Sequence, residues 1–352
     1  MRPGLPTIRL AAAACALLAT PVLAPAQTLP ALDKAKDLCM GRASSLEERM
    51  TGCTALIDAK AATGHDLAVA LCNRGYVLTE RKDYQRALAD LEAGIEADRT
   101  YPCLFVNRGR AFGFLDQFDK AIADYDEAIR LDANFALAYN NRGDAWRHKG
   151  DLDRAIADFS VAIRINPQYA LAYGNRGEAF RRKGDQEHAI EDFTAEIALR
   201  PTADAFINRG NAYRDLGQLD KALADYGVIV ENAPQDARGW RNRGLIRLMK
   251  NDVAGAIADY DKAIRLDPKD AASFGNRGVA FKRKKQLDKA LADFDTALRL
   301  DPGLALTHVN RGNALKDKGD RNGAIAAYRA ALAIDAGFTP ALDSLKEIGA
   351  KP

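Results

Sequence analysis

The fold class predicted for this sequence is an all-α solenoid of stacked helix–turn–helix units, closed at both ends by helical caps. Three observations predict it. The triplet Asn-Arg-Gly occurs at residues 73–75, 107–109, 141–143, 175–177, 208–210, 242–244, 276–278 and 310–312, with successive spacings of 34, 34, 34, 33, 34, 34 and 34 residues. A fixed period in this range marks a chain of repeated supersecondary units. Each period holds two stretches with apolar and small residues at helical spacing. The 352 residues are 47 % hydrophobic but only 7 % aromatic, which suits many small helix-packing contacts rather than one bulky core.

From the N-terminus, Arg2 and Arg9 give a positive start, an apolar run extends from Leu10 to Leu18, and Ala24-Pro25-Ala26 offers small residues before Gln27. Residues 1–26 therefore read as a cleaved secretory signal peptide. The stretch from Leu10 to Ala24 is broken by Pro21 and is shorter than the roughly 20 residues a membrane span needs. No other segment is apolar enough to span a membrane. Cleavage removes two Arg and no acid, so the formal charge falls from +3 to +1. That balance gives no general drive toward nucleic acid or anionic lipid. Ala- and Arg-rich usage reads as bacterial, so the expected compartment is the periplasm, with secretion as the alternative.

Residues 27–67 read as an N-terminal cap, a degenerate helical hairpin in which Ser44 and Glu47 suit a capping box. Four cysteines follow the signal: Cys39, Cys53, Cys72 and Cys103. In an oxidising space an even count suggests two disulfides, and spacing favours Cys39–Cys53 across the hairpin and Cys72–Cys103 between neighbouring repeats. The alternative is four buried thiols. The spacing does not suit zinc.

Residues 68–338 hold eight units. With slots numbered from Ala136, slot 4 is Tyr139, slot 8 Gly143, slot 11 Trp146, slot 20 Ala155, slot 24 Phe159, slot 27 Ala162 and slot 32 Pro167. Lys149-Gly150-Asp151 separates the two helices, and Pro167 blocks continuation of the second. Slot 8 is Gly and slot 20 Ala in all eight units; slot 24 is aromatic in seven, with Leu91 the exception. Slot 27 departs at Glu196 and Ile229, and slot 32 lacks Pro in the first, second and eighth units, where less regular packing is expected. Gly inside a helix costs about 1 kcal/mol relative to Ala, so eight copies cost roughly 8 kcal/mol. Close helix–helix approach at each glycine offsets that. Residues 339–352 read as a C-terminal capping helix, with Thr339 as N-cap, Pro340 at the first helical position, and Leu342, Leu345 and Ile348 facing inward.

This slot pattern resembles the tetratricopeptide repeat family, of an exported bacterial type, over residues 68 to 338. The resemblance implies a right-handed superhelix whose first helices line a concave groove, and a role in binding proteins or peptides. The chain departs at slot 7, Arg in every unit where the family usually has an apolar residue. Slot 23 is Asp in seven units, and only Ala327 in the eighth departs. Pairing within units would strand Arg311, so the expectation is a ladder between units, such as Asp124–Arg142 and Asp158–Arg176. The alternative is that these Arg line a binding surface.

Slot 6 is Asn in every unit: Asn73, Asn107, Asn141, Asn175, Asn208, Asn242, Asn276 and Asn310. It lies about 200° around the helix from slots 4 and 8, away from the packing face. In the resembled fold these carboxamides form a file along the groove, able to donate to and accept from a peptide backbone. Some family members grip extended peptides this way. The alternative is that Asn bridges adjacent first helices. Slots 12 and 13 are enriched in bases, among them Arg147, Arg181, Arg214 and Lys282, which suggests an acidic partner. The carboxylate clamp of some family members needs Lys at slot 5, where this chain has none.

No catalytic or metal site and no cofactor is expected. His65, His148, His188 and His308 are scattered, with no metal-ligand spacing, and no nucleotide or hydrolase motif occurs. The reading is a non-catalytic scaffold of the bacterial envelope, holding a partner protein or extended peptide in the groove. The alternative is an enzyme or a carbohydrate-binding envelope protein that uses the solenoid surface. RNA binding is disfavoured by the export signal and balanced charge.

Overall fold

A computed structural model describes residues 29–41 and 45–352. Residues 1–26, read from the sequence as a signal peptide, lie outside the described residues. The described chain is all-helical: α1 (Leu29–Met40), α2 (Leu46–Asp58), α3 (Gly64–Glu80), α4 (Tyr84–Ala97), α5 (Pro102–Phe114), α6 (Phe118–Leu131), α7 (Ala136–His148), α8 (Leu152–Ile165), α9 (Ala170–Arg182) and α10 (Gln186–Leu199). It continues with α11 (Ala203–Asp215), α12 (Leu219–Asn232), α13 (Ala237–Met249), α14 (Val253–Leu266), α15 (Ala271–Arg283), α16 (Leu287–Leu300), α17 (Ala305–Asp317), α18 (Arg321–Ile334) and α19 (Thr339–Glu347). Two compact units divide the chain between Leu104 and Phe105.

In the first unit, α1 and α2 form the expected hairpin, fastened by a Cys39–Cys53 disulfide between residues 14 apart. Both cysteines are buried with Ala35, Leu56 and Ala70. The capping box sits one residue later than the sequence suggested: Glu48 N–H donates to Ser45 Oγ (3.2 Å), and Ser45 N–H to Glu48 Oε2 (2.8 Å). Ser44 lies outside the described residues. Helix α3 starts at Gly64, so the boundary drawn at residue 68 falls inside a helix. The second expected disulfide does not form. Cys72 is a buried thiol and Cys103 a half-buried one, packed in a single apolar cluster with Leu91 and Leu104.

In the second unit, from α6 to α19, each helix packs on its neighbour in sequence. First helices also touch the first helix of the next unit, from α7 on α9 through α15 on α17. Among the described residues no second helix touches the next second helix, which puts the first helices on the inner layer of this stack.

The glycine of each triplet is explained by its neighbour sixteen residues on. A Cβ at Gly109, Gly143, Gly177, Gly210, Gly244, Gly278 or Gly312 would come closer than 3.0 Å to the slot 24 ring of its own unit, and at Gly75 to Leu91. The rings of Phe159, Phe193, Tyr226, Tyr260, Phe294 and Tyr328 are all but fully buried. Slot 20 alanines carry no exposed surface in any of the eight units.

The units without Pro at slot 32 are as regular as the rest. Helices α4, α6 and α18 stop two residues before that slot, as α8 does before Pro167. The residue before that slot forms an Asx turn with or without proline: Asp98, Asp132 and Asp335 each accept the N–H two residues on (2.9 Å), as Asn166, Asp267 and Asp301 do beside Pro167, Pro268 and Pro302. At the C-terminus α19 packs on α17 and α18 through Ala341 and Leu345, with Ile348 and Phe338 alongside and Leu342 only half-buried. Phe338, not Thr339, occupies the N-cap position, and its side chain makes no capping bond.

The Arg–Asp ladder runs within units, the reverse of the sequence expectation. Arg74–Asp90, Arg108–Asp124, Arg142–Asp158, Arg176–Asp192, Arg209–Asp225, Arg243–Asp259 and Arg277–Asp293 are two-point contacts of 2.6–2.9 Å. Slots 7 and 23 flank the slot 8–slot 24 contact, so they meet wherever glycine lets the helices touch. Asp124 therefore pairs with Arg108 rather than Arg142, and Asp158 with Arg142 rather than Arg176. Arg311 is not stranded, because Asp295 of the preceding unit accepts from its Nε (2.6 Å). The same inter-unit position bonds Arg142 through Asp126 (2.6 Å), Arg176 through Ser160 (3.0 Å), Arg209 through Thr194 (3.1 Å) and Arg277 through Asp261 (2.7 Å). Each of these guanidinium groups thus joins two helices of its own unit and one of the unit before. A planar fork with five donors can do this and a lysine cannot. Burial pushes Asp192 upward in pKa while the Arg176 fork pulls it back.

Candidate peptide-binding groove

In the second unit the inner layer carries a file of asparagines from Asn141 to Asn310. All eight slot 6 residues are half-buried. Two stretches use the carboxamide to bridge helices, the alternative weighed from sequence. Asn73 Nδ2 donates to the Cys39 carbonyl (3.0 Å), and Asn175 Nδ2 donates to Asn140 Oδ1 (3.0 Å), whose own Nδ2 donates to Asn141 Oδ1 (3.2 Å). Among the described residues, Asn208, Asn242, Asn276 and Asn310 make no such bond. Half-buried amides without partners are open to a ligand that both donates and accepts.

Three depressions lie on this layer. Asn141 lines one of about 360 Å³ with Phe114, Tyr125 and His148. Asn175 and Asn208 share one of about 450 Å³ with Arg147, Glu178 and Glu196. Asn276 and Asn310 share one of about 350 Å³ with Leu304, Leu306 and Phe338. Phe114, Leu171 and Leu306 stand exposed beside these hollows, which gives the layer apolar as well as amide character.

Five of the bases at slots 12 and 13 are held by neighbouring carboxylates. Arg147 is held by Asp144 (2.5 Å), Arg181 by Glu178 (2.8 Å), Arg214 by Asp215 (2.8 Å), Lys282 by Asp317 (3.1 Å) and Lys316 by Glu347 (2.8 Å). Sequence reasoning counted slots 12 and 13 and passed over Asp144 and Glu178, one helical turn earlier on the same face. Arg283 differs: among the described residues its guanidinium meets no carboxylate and donates to the Leu248 carbonyl (2.6 Å).

Glu196 was also passed over. It fills slot 27, where Ala128, Ala162, Ala263, Ala297 and Ala331 stand in other units, and is only 6 % exposed. Its Oε2 is buried without a hydrogen-bond partner. Burial pushes its carboxyl above the ordinary value, Asp204 adds to the rise, and Arg200 opposes it. The signal was present as a break in the slot pattern, read as irregular packing.

Histidines are engaged locally. His65 pairs with Asp98 (2.6 Å), His148 stacks on Phe118, and His188 stacks on Phe180 while bonding Asp185 (2.7 Å), which raises its pKa. Among the described residues no group of three or more His, Cys, Asp or Glu is placed to hold a metal, and no helix is long and apolar enough to cross a membrane.

Family models described as tetratricopeptide repeat match residues 68–101, 106–170, 207–271, 271–304 and 305–338. No curated protein matches the chain. Solved structures of similar fold include the APC/C hetero-tetramer Cut9–Hcn1, at TM-score 0.55 and 16 % identity, covering 90 % of this chain and 87 % of that one. A tetratricopeptide repeat protein from Parabacteroides merdae aligns at TM-score 0.54 and 17 % identity, over 70 % of this chain and 98 % of its own. PilF of Pseudomonas aeruginosa aligns at TM-score 0.51 and 18 % identity, over 60 % and 97 %. These likenesses establish the fold.

Proposed function

The chain belongs to the tetratricopeptide repeat family, and from that premise we propose that it is a non-catalytic protein-interaction scaffold that holds an extended segment of a partner protein along its first helices. The observation that carries this reading is the asparagine file of the second unit, in which Asn208, Asn242, Asn276 and Asn310 are half-buried on the inner layer with no bond of their own. An amide left partly desolvated and unpaired costs free energy, and a peptide main chain supplies both the donor and the acceptor it lacks. A main-chain grip is indifferent to side-chain charge, in keeping with the ion pairs that hold Arg147, Arg181, Arg214 and Lys282.

The proposed setting is the bacterial envelope. It rests on the signal-like residues 1–26, with the periplasm as first destination and secretion as second. A disulfide in the first unit fits an oxidising compartment.

The test replaces Asn208, Asn242 and Asn276 together by Ala and compares cross-linked partner recovery with wild type, with a thermal melt on the same samples. The expected result is loss of partners with an unchanged melt. Full recovery of the same partners by the variant would refute the file as the gripping surface.

A further inference from the structure

The cavity between α9 and α11 has a floor unlike the rest of the layer. Glu196 rises from α10 into the space that a slot 5 side chain would fill, and that slot is Gly174. A Cβ on Gly174 would lie 2.6 Å from Glu196 Oε2, so this glycine is what admits the acid. Glu196 is 6 % exposed, its Oε2 has no partner, and the residue lines a cavity of about 450 Å³ together with Asn175 and Asn208. A buried charge without a partner is strongly unfavourable, and the slot tolerates Ala in five other units. Packing therefore does not require the acid.

The other charges of the cavity are matched, save Arg200 at its mouth. Arg147 is bound by Asp144 (2.5 Å), Glu178 by Arg181 and Arg182 (2.8 Å each), and Asp204 by Arg238 (2.6 Å). Arg200 stands exposed at the end of α10, its N–H bonded to the Glu196 carbonyl (2.7 Å), and makes no ion pair among the described residues. One acid at the floor is left without a counterion in contact, flanked by two amides of the file.

Resting on the reading of this layer as a peptide groove, we propose that the Glu196 cavity is the anchor pocket for a lysine or arginine side chain of the bound segment. Asn175 and Asn208 hold the main chain on either side, and the long aliphatic stem reaches the floor, where the cation makes a charge-assisted hydrogen bond with the carboxylate. Partner selection then depends on a basic residue, the opposite sign from the basic slots of the sequence.

The test uses the full chain and four fluorescein-labelled nonapeptide pools, degenerate except for a central Lys, Arg, Glu or Leu, read by anisotropy. Wild type should bind the Lys and Arg pools about tenfold more tightly than the Glu and Leu pools, the ratio expected of one charge-assisted bond. Glu196→Gln and Glu196→Ala should bind all four pools alike, at the wild-type level for Leu. Glu196→Ala installs the residue that five other units bury at this slot, so a retained melt separates lost preference from lost fold. Arg200→Ala, which removes a like charge from the mouth, should keep or sharpen the preference. Equal binding of the four pools by wild type, or an unchanged preference in Glu196→Gln, overturns the anchor and leaves the groove standing. Failure of wild type to bind any pool overturns both.

Discussion

The same substitution, Gly to Ala, should have opposite signs at two helical positions. At Gly177 in α9 a Cβ would sit 2.8 Å from Phe193 Cε1, 3.0 Å from Cδ1 and 3.2 Å from Asp192 Cβ. Phe193 has no exposed surface and Asp192 is held by the Arg176 fork, so neither can yield without moving the interface. Overpacking of this kind costs about 1–3 kcal/mol and can exceed the roughly 1 kcal/mol that Ala gains in helix propensity. At Gly227 in α12 nothing lies within 4 Å of the added Cβ, so only the propensity gain of about 1 kcal/mol remains. Urea unfolding followed by circular dichroism, with amide exchange to localise the change, should show Gly177→Ala destabilised and Gly227→Ala stabilised. If Gly177→Ala is as stabilising as Gly227→Ala, the slot 8 glycines are not there for ring contact and the explanation of the triplet fails.

Three further outcomes follow. Arg176→Ala should cost about 3–5 kcal/mol by leaving Asp192, 4 % exposed, as an unpaired buried acid, and Arg176→Lys should recover only part of this because it lacks the fork; urea midpoints measure both. Replacing Cys39 and Cys53 by Ser opens a loop of 14 residues and should cost about 3 kcal/mol, read as lost exchange protection confined to α1 and α2. Glu196 titrates above its ordinary 4.5 because it is buried, so protons bind the folded state more tightly than the unfolded. Below 4.5 it is protonated in both states; as pH rises through the raised folded value the folded state loses stability relative to Glu196→Gln. Melting temperatures of the two proteins should converge near pH 4 and separate toward neutrality, with the variant the more stable, and a pH-independent difference would contradict the assignment.

The Asp–Arg ladder shows where legibility stopped. Arg142 has three candidate acids in sequence, Asp124, Asp126 and Asp158, and helical periodicity places all of them near the same seam. The absence of Asp at Ala327 suggested pairing between units, yet Asp295 reaches Arg311 from the preceding unit and removes the premise. Cys72 and Cys103 failed for a similar reason: sharing an apolar cluster does not make a disulfide. Missing prolines at slot 32 misled because an Asx turn ends a helix as well.

By itself the sequence determined the repeat period, the two helices of each unit, the packing face and the outward file of asparagines. These follow from the spacing of small, aromatic and breaker residues, which depends only on helix geometry. Only the tertiary structure decided which charge meets which, that Arg147, Arg181, Arg214 and Lys282 are neutralised in place, and that Glu196 lies unpaired beneath Gly174. Periodicity gives the direction of a side chain from its own axis. Partnership depends on the distance between axes, which is set by the whole packed interface and is not carried by any one repeat.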